Sequence, residues 1–211
     1  GAGIGPATLA NLQLTADRRV MTTLADTRVL FNGIAAPLIY VQERQLSAIV
    51  PYGVQGRSRV DLQIEYLGFR SNTVSVAVAT AAPGLFTLNS TGRGPGAVLN
   101  QDYRVNSASN PAERGSIVIL YGTGEGVTDY TLDGALASST FPPKPRLPVS
   151  VRIGGVAAEV LYAGGAPGLV HGVLQINARV PATVVPGGAV PVTVTVGASA
   201  TSPPGVTIAV R

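Results

Sequence analysis

The chain repeats itself once. Val29-Leu30-Phe31-Asn32-Gly33-Ile34-Ala35-Ala36-Pro37-Leu38-Ile39-Tyr40 lines up with Val151-Arg152-Ile153-Gly154-Gly155-Val156-Ala157-Ala158-Glu159-Val160-Leu161-Tyr162. Downstream, Gln45–Pro51 matches Gln175–Pro181, Val60–Ile64 meets Val190–Val194, and Val74–Val78 meets Val206–Val210. The second copy is longer between these blocks, within Gly164–Val173. Two copies in one order predict two domains of one fold, and 211 residues suffice for two small ones. The boundary is expected near Ala81–Pro83, giving 1–82 and 83–211, the second carrying a connector over 83–115 and the insertion.

Within each copy the hydrophobic pattern is that of strands. Ser116–Tyr121, Val149–Ile153, Val190–Val196 and Val206–Val210 are short runs rich in β-branched residues, bounded by Gly, Pro, Asn or Ser. Several alternate apolar with polar residues, as strands with one wet and one buried face do. Asn32-Gly33 and Gly154-Gly155 are dipeptides that accept the positive φ angles of two-residue hairpin turns. Helix is expected only at Asn110-Pro111-Ala112-Glu113, as a single turn capped by Asn with Pro at its first position. Tyr40 and Tyr162 are expected to serve the same core position in both copies. The predicted fold class is all-β: two tandem immunoglobulin-like antiparallel β-sandwich domains.

Composition removes several classes of function. With 26 Gly and 16 Pro the chain stays below the content at which non-periodic sequences are disordered. Zero Cys excludes disulfides and thiolate chemistry, and one His, His171, excludes multi-histidine metal ligation within one chain. The net charge of +4 comes almost wholly from Arg, with Lys144 as the lone lysine, scattered and interleaved with acids. Nucleic-acid binders concentrate basic residues on one face with aromatics among them; here aromatics are 5% and Trp is absent, so no nucleic acid is expected. No apolar run approaches the ~18 residues of a membrane-spanning helix. The start carries no basic-then-apolar leader, and a mature or truncated chain is expected.

Candidate chemistry is sparse. Gly122-Thr123-Gly124-Glu125-Gly126 follows a strand, but a phosphate loop needs a helix directly after it, and Val127–Gly134 is a poor helix start. A sharp turn or bulge is expected there. Glu125, Asp129 and Asp133 share a face only on a helix, and calcium would want an Asp-x-Asp-x-Asp-Gly pattern that is missing. Asn100, Asp102 and Asn106 read as turn chemistry. His171, inside the insertion, has no Gly-x-Ser-x-Gly elbow to serve and reads as structural. No catalytic, cofactor-binding or metal residue is assigned, and no cofactor is expected.

A resemblance then adds to this reading. It is carried by Asn100-Gln101-Asp102, Asn106 with Asn110-Pro111-Ala112, and Gly122–Gly126. Leu161-Tyr162-Ala163-Gly164 with Ala166-Pro167-Gly168-Leu169, and Leu174-Gln175-Ile176-Asn177 with Val180-Pro181, belong to it as well. Together these resemble the uncharacterised Solibacter-type C-terminal domain family of acidobacterial extracellular proteins, each half looking like an IPT/TIG-type immunoglobulin-like module. The likeness spans almost the whole chain. It implies an exported, extracellular or cell-surface location and no known catalytic residues.

Gly1–Pro6 aligns with Gly122–Val127, the segment after strand Ser116–Tyr121, so the first domain begins where its equivalent of that strand ends. Two readings stand: a fragment boundary, or a strand supplied by another chain or an upstream domain. An unpaired edge is the starting point for β-strand addition. The function expected is a non-catalytic structural or adhesive module mediating protein–protein assembly or anchoring, including self-assembly into filaments through that edge. The candidate contact surface is the 83–115 connector with the 164–173 insertion, because neither has a counterpart in the first copy. The alternative is a carbohydrate-binding module with glycan as ligand, for which Tyr103, Tyr121 and Tyr130 would have to form an exposed row.

Overall fold

The computed structural model describes residues 3–211. The chain forms two compact units, the first comprising Gly1–Thr80, Tyr130–Phe141 and Pro167–Gly172, the second Ala81–Asp129, Pro142–Ala166 and Val173–Arg211. The division therefore differs from a single cut in the chain. Two loops that follow the second copy's strands in sequence belong to the first unit.

The first unit holds β1 (Ala10–Asn11), β2 (Thr27–Phe31), β3 (Ile34–Ala35), β4 (Leu38–Val41), β5 (Leu46–Ala48), β6 (Arg59–Tyr66), β7 (Phe69–Arg70) and β8 (Val74–Ala77). A single 3-10 turn lies at Tyr52–Val54. One sheet runs β1-β4-β5; the other runs β3-β2-β6-β7, with β8 also on β6. Val29, Phe31, Leu38, Val41, Val54 and Val60 form the core.

In the second unit come β9 (Gly84–Leu85), β10 (Gly94–Pro95), β11 (Val98–Asn100), β12 (Ile117–Thr123), β13 (Val149–Ile153) and β14 (Val156–Gly165). They are followed by β15 (Leu174–Arg179), β16 (Gly187–Val196), β17 (Ala200–Thr201) and β18 (Val206–Val210). The pairing is one continuous path, β10-β18-β16-β13-β14-β15-β12-β11, with β17 on β16 and β9 on β12. Val118, Leu120, Ile153, Leu174, Ile176, Val192 and Ile208 are among its fully enclosed residues.

Register confirms the repeat strand by strand. Phe31 faces Leu62 and Val29 faces Ile64, as Ile153 faces Val192 and Val151 faces Val194. Val60 faces Val76, as Val190 faces Ile208. Tyr40 lies opposite Ser47 and Tyr162 opposite Asn177, and in both copies the register shifts just before the tyrosine. The hairpin turns are as expected, with φ of 49° and 81° at Asn32-Gly33 and 60° and 79° at Gly154-Gly155.

One difference between the copies has a simple cause. Where β14 runs unbroken through Glu159, the first copy has Pro37, and β3 and β4 are separate strands on either side of it. Proline lacks the N–H that a ladder position needs. The expected helical turn at Asn110–Glu113 does not form. Ala112 instead bridges Val210, its N–H donating to Ala209 and its carbonyl accepting from Arg211, so the segment is held extended.

Candidate interaction edge

β5 is the strand whose surroundings separate the two copies. Its equivalent, β15, lies between β14 and β12, whereas β5 pairs with β4 on one side and with no described strand on the other. Ser47 pairs with Tyr40 and the Ile49 N–H donates to Pro37, so alternation turns the backbone groups of Leu46, Ala48 and Val50 toward the open side. In the second unit the matching groups are used: Val180 donates to Ser116 and accepts from Gly115, and Ile176 and Ala178 face Leu120 and Val118.

Burial follows the pairing. Ile176, Ala178 and Val180 are at most 1% exposed; Leu46 and Ala48 are only half-buried, and Val50 is 52% exposed. Across the sandwich, Ile64 and Tyr66 are half-buried while their equivalents Val194 and Val196 are enclosed. Ile64 and Tyr66 line a cleft of about 250 Å³ with Gly3, Ile4 and Phe69. Gly3, at φ 70°, shares the left-handed conformation of Gly124, at φ 81°.

The segments expected to form a contact surface are largely committed to the units. The 83–115 connector contributes β9, β10 and β11 to the ten-stranded sheet, with Leu85, Val98 and Ala112 in its core. Of the insertion, Ala166, Val170 and His171 are buried, leaving Pro167, Gly168 and Leu169 exposed. Val170 bridges Leu136, and the His171 N–H donates to the Ala135 carbonyl, which ties the two loops of the first unit together. Sequence spacing marked these residues as extra without showing that they carry core contacts.

His171 is 2% exposed, its ring edge-on to Tyr130 at 5.9 Å, and its Nδ1 is buried without a hydrogen-bond partner. Burial pushes the imidazole below its usual pKa, opposed by the nearby Asp133 carboxylate, whose Oδ1 accepts the Tyr52 N–H. A depressed histidine pKa contributes stability that is present above about pH 6.5 and is lost as pH falls toward the folded value. The first unit is therefore expected to lose stability as pH falls below about 6.5, and His171→Gln to flatten that dependence; thermal melts across a pH series check it.

The glycine-rich run is a packed corner. β12 extends through Thr123, and Gly124 lies against the backbone of Ala82, whose N–H donates to the Gly124 carbonyl. A Cβ on Gly124 would collide with the Ala82 carbonyl, which accounts for the glycine and leaves no cradle for phosphate. Glu125 beside it is 3% exposed, and burial raises its pKa. A raised carboxyl pKa means the charged form is penalised in the folded state once pH exceeds the ordinary carboxylate range. Glu125→Gln is expected to raise the melting temperature at pH 7, with the gain vanishing toward about pH 4.

Other candidates take structural roles. Asn106 clamps β18: its Oδ1 accepts the Ala209 N–H and its Nδ2 donates to the Ala209 carbonyl and to Asn100 Oδ1. Asp102 closes a turn onto Arg104, and Asp129 accepts the Lys144 N–H. Tyr103 and Tyr130 are exposed and Tyr121 is half-buried, but Tyr130 belongs to the first unit and the other two to the second. Among the described residues no group of three or more His, Asp or Glu could hold a metal ion, and no helix is long and apolar enough to cross a membrane.

Strand order and register thus define an all-β protein of two immunoglobulin-like sandwich units. No protein-family model and no curated protein matches the chain. Among solved structures, the crystal structure of the I9–I11 tandem from titin matches at 11% identity and a TM-score of 0.24, covering 98% of this chain. The chain spans 62% of that structure's length. The class rests on the ladders described above, not on so slight a likeness.

Proposed function

We propose that this chain is a non-catalytic structural module of an exported bacterial protein, joining polypeptides by β-strand addition at the open edge of β5. The observation that carries the proposal is the contrast between β5 and β15, equivalent strands of which one is paired on both sides. A sheet edge of this kind presents a row of N–H and C=O groups that natural proteins otherwise cover, charge or twist away. The export component rests on the family resemblance of the sequence motifs.

The experiment is light scattering over a concentration series, with negative-stain microscopy of the same samples. Mass is expected to rise with concentration. Val50→Pro, which deletes one open-edge donor beside Pro51, is expected to hold the chain monomeric. A constant monomer mass in the unsubstituted chain, or assembly unaffected by the substitution, contradicts assembly through this edge.

A further inference from the structure

Two loops of the first unit, 130–141 and 167–172, are stitched to it by a short series of bonds. The Val20 N–H donates to the Gly134 carbonyl, and the Tyr52 N–H donates to Asp133 Oδ1. The Ala137 N–H donates to Leu169, Gly168 donates back to Ala137, and His171 donates to Ala135, so the second loop is held by the first. Two glycines let the chains approach closely. Gly134, at φ 73°, lies where a Cβ would collide with the Val20 carbonyl, and Gly172, at φ 101°, lies against the Ile49 side chain. Beyond the Leu136–Val170 bridge, no described strand of either sheet takes in this seam.

His171 belongs to this seam, and its buried Nδ1 has no hydrogen-bond partner. A neutral imidazole tolerates that arrangement, because the tautomer protonated at Nε2 leaves Nδ1 as an acceptor only. An imidazolium carries a proton on both nitrogens, so the Nδ1 proton would be buried without an acceptor. The titratable groups facing the ring from 130–141 are Asp133 and Tyr130. Asp133 attracts the cation, but its Oδ1 is engaged by the Tyr52 N–H of the 3-10 turn. Ile49, packed against the adjoining Gly172, is apolar. Once the loops open, water supplies the acceptor that the closed seam lacks. We infer that His171 is a proton-operated latch, whose protonation releases 130–141 and 167–172 while the two sheets of the first unit stay folded. The release is local because the bonds it breaks lie outside the β2–β6 and β4–β5 ladders.

The test is residue-resolved amide exchange of the full chain at about pH 7.5 and 5.5, on either side of the ordinary histidine pKa. Rates are expressed as protection factors, which cancel the intrinsic pH dependence of exchange. Protection at Val20, Tyr52, Ala137, Gly168 and His171 is expected to fall at least about threefold at the lower pH, while the β2–β6 ladder keeps its protection. His171→Gln is expected to remove the fall. Asp133→Asn keeps an oxygen for the Tyr52 N–H but loses the charge that favours the imidazolium, so it is expected to deepen the fall. Unchanged protection at these amides, an equal fall in the β2–β6 ladder, or a fall that persists in His171→Gln overturns the inference. Should His171→Gln not fold, Asp133→Asn decides: a deeper fall upholds the latch, and an equal or smaller one overturns it.

Discussion

Gly124→Ala is expected to destabilise the second unit by at least about 3 kcal/mol, enough to leave a marginal domain largely unfolded. Two penalties combine at this position. The residue has φ 81°, which costs an L side chain strain, and the new Cβ falls on the Ala82 carbonyl, where only backbone could give way. Moving that backbone would break the Ala82 N–H bond to Gly124 and pull β9 from the end of β12. Gly33→Ala supplies the comparison, because its φ is also 81° but open space surrounds it. Denaturant titration of both variants should show a distinctly larger loss for Gly124→Ala, and equal losses would mean that the packing of 82–84 on this corner has been misjudged.

Asn106→Ala is the second large effect, expected at about 2–4 kcal/mol. Asn106 is buried and serves three partners, satisfying both backbone groups of Ala209 and the Asn100 amide oxygen. Removing its amide leaves the Ala209 N–H and the Asn100 amide oxygen without this partner, while the Ala209 carbonyl keeps the Ala112 N–H, and unsatisfied buried groups cost more than the bonds themselves return. The loss should appear as faster amide exchange at Ala209 and a lower denaturation midpoint. A change below about 0.5 kcal/mol would show that β18 is held by its pairing with β16, β10 and Ala112 without the Asn106 clamp.

Much of the fold was legible because repeated β-sequence carries its own check. Two copies with the same apolar alternation can pair only in registers that keep the same residues inside, and Val29, Val151, Val60 and Val190 do so. The turns were legible because Asn-Gly and Gly-Gly allow positive φ where other pairs resist it. Less legible was anything decided by partners distant in sequence. Asn110–Glu113 has the local signals of a helix start, yet Ala112 is held extended by the last strand. The 164–173 insertion was expected to offer a contact surface, because extra length says nothing about where a loop packs, whereas Ala166, Val170 and the structural His171 are buried. For the interaction edge, sequence comparison did not single out β5. Leu46, Ala48 and Val50 emerged only when their exposure could be set against that of Ile176, Ala178 and Val180.

Among the described strands β5 has one unpaired side, and residue-resolved amide hydrogen exchange of the dilute chain measures that directly. Leu46, Ala48 and Val50 should exchange orders of magnitude faster than Ile176, Ala178 and Val180, while Ser47 and Ile49, which face β4, remain protected. Equal protection of the two strands under dilute conditions would mean that the edge is covered within the chain itself, and strand addition at β5 would be contradicted.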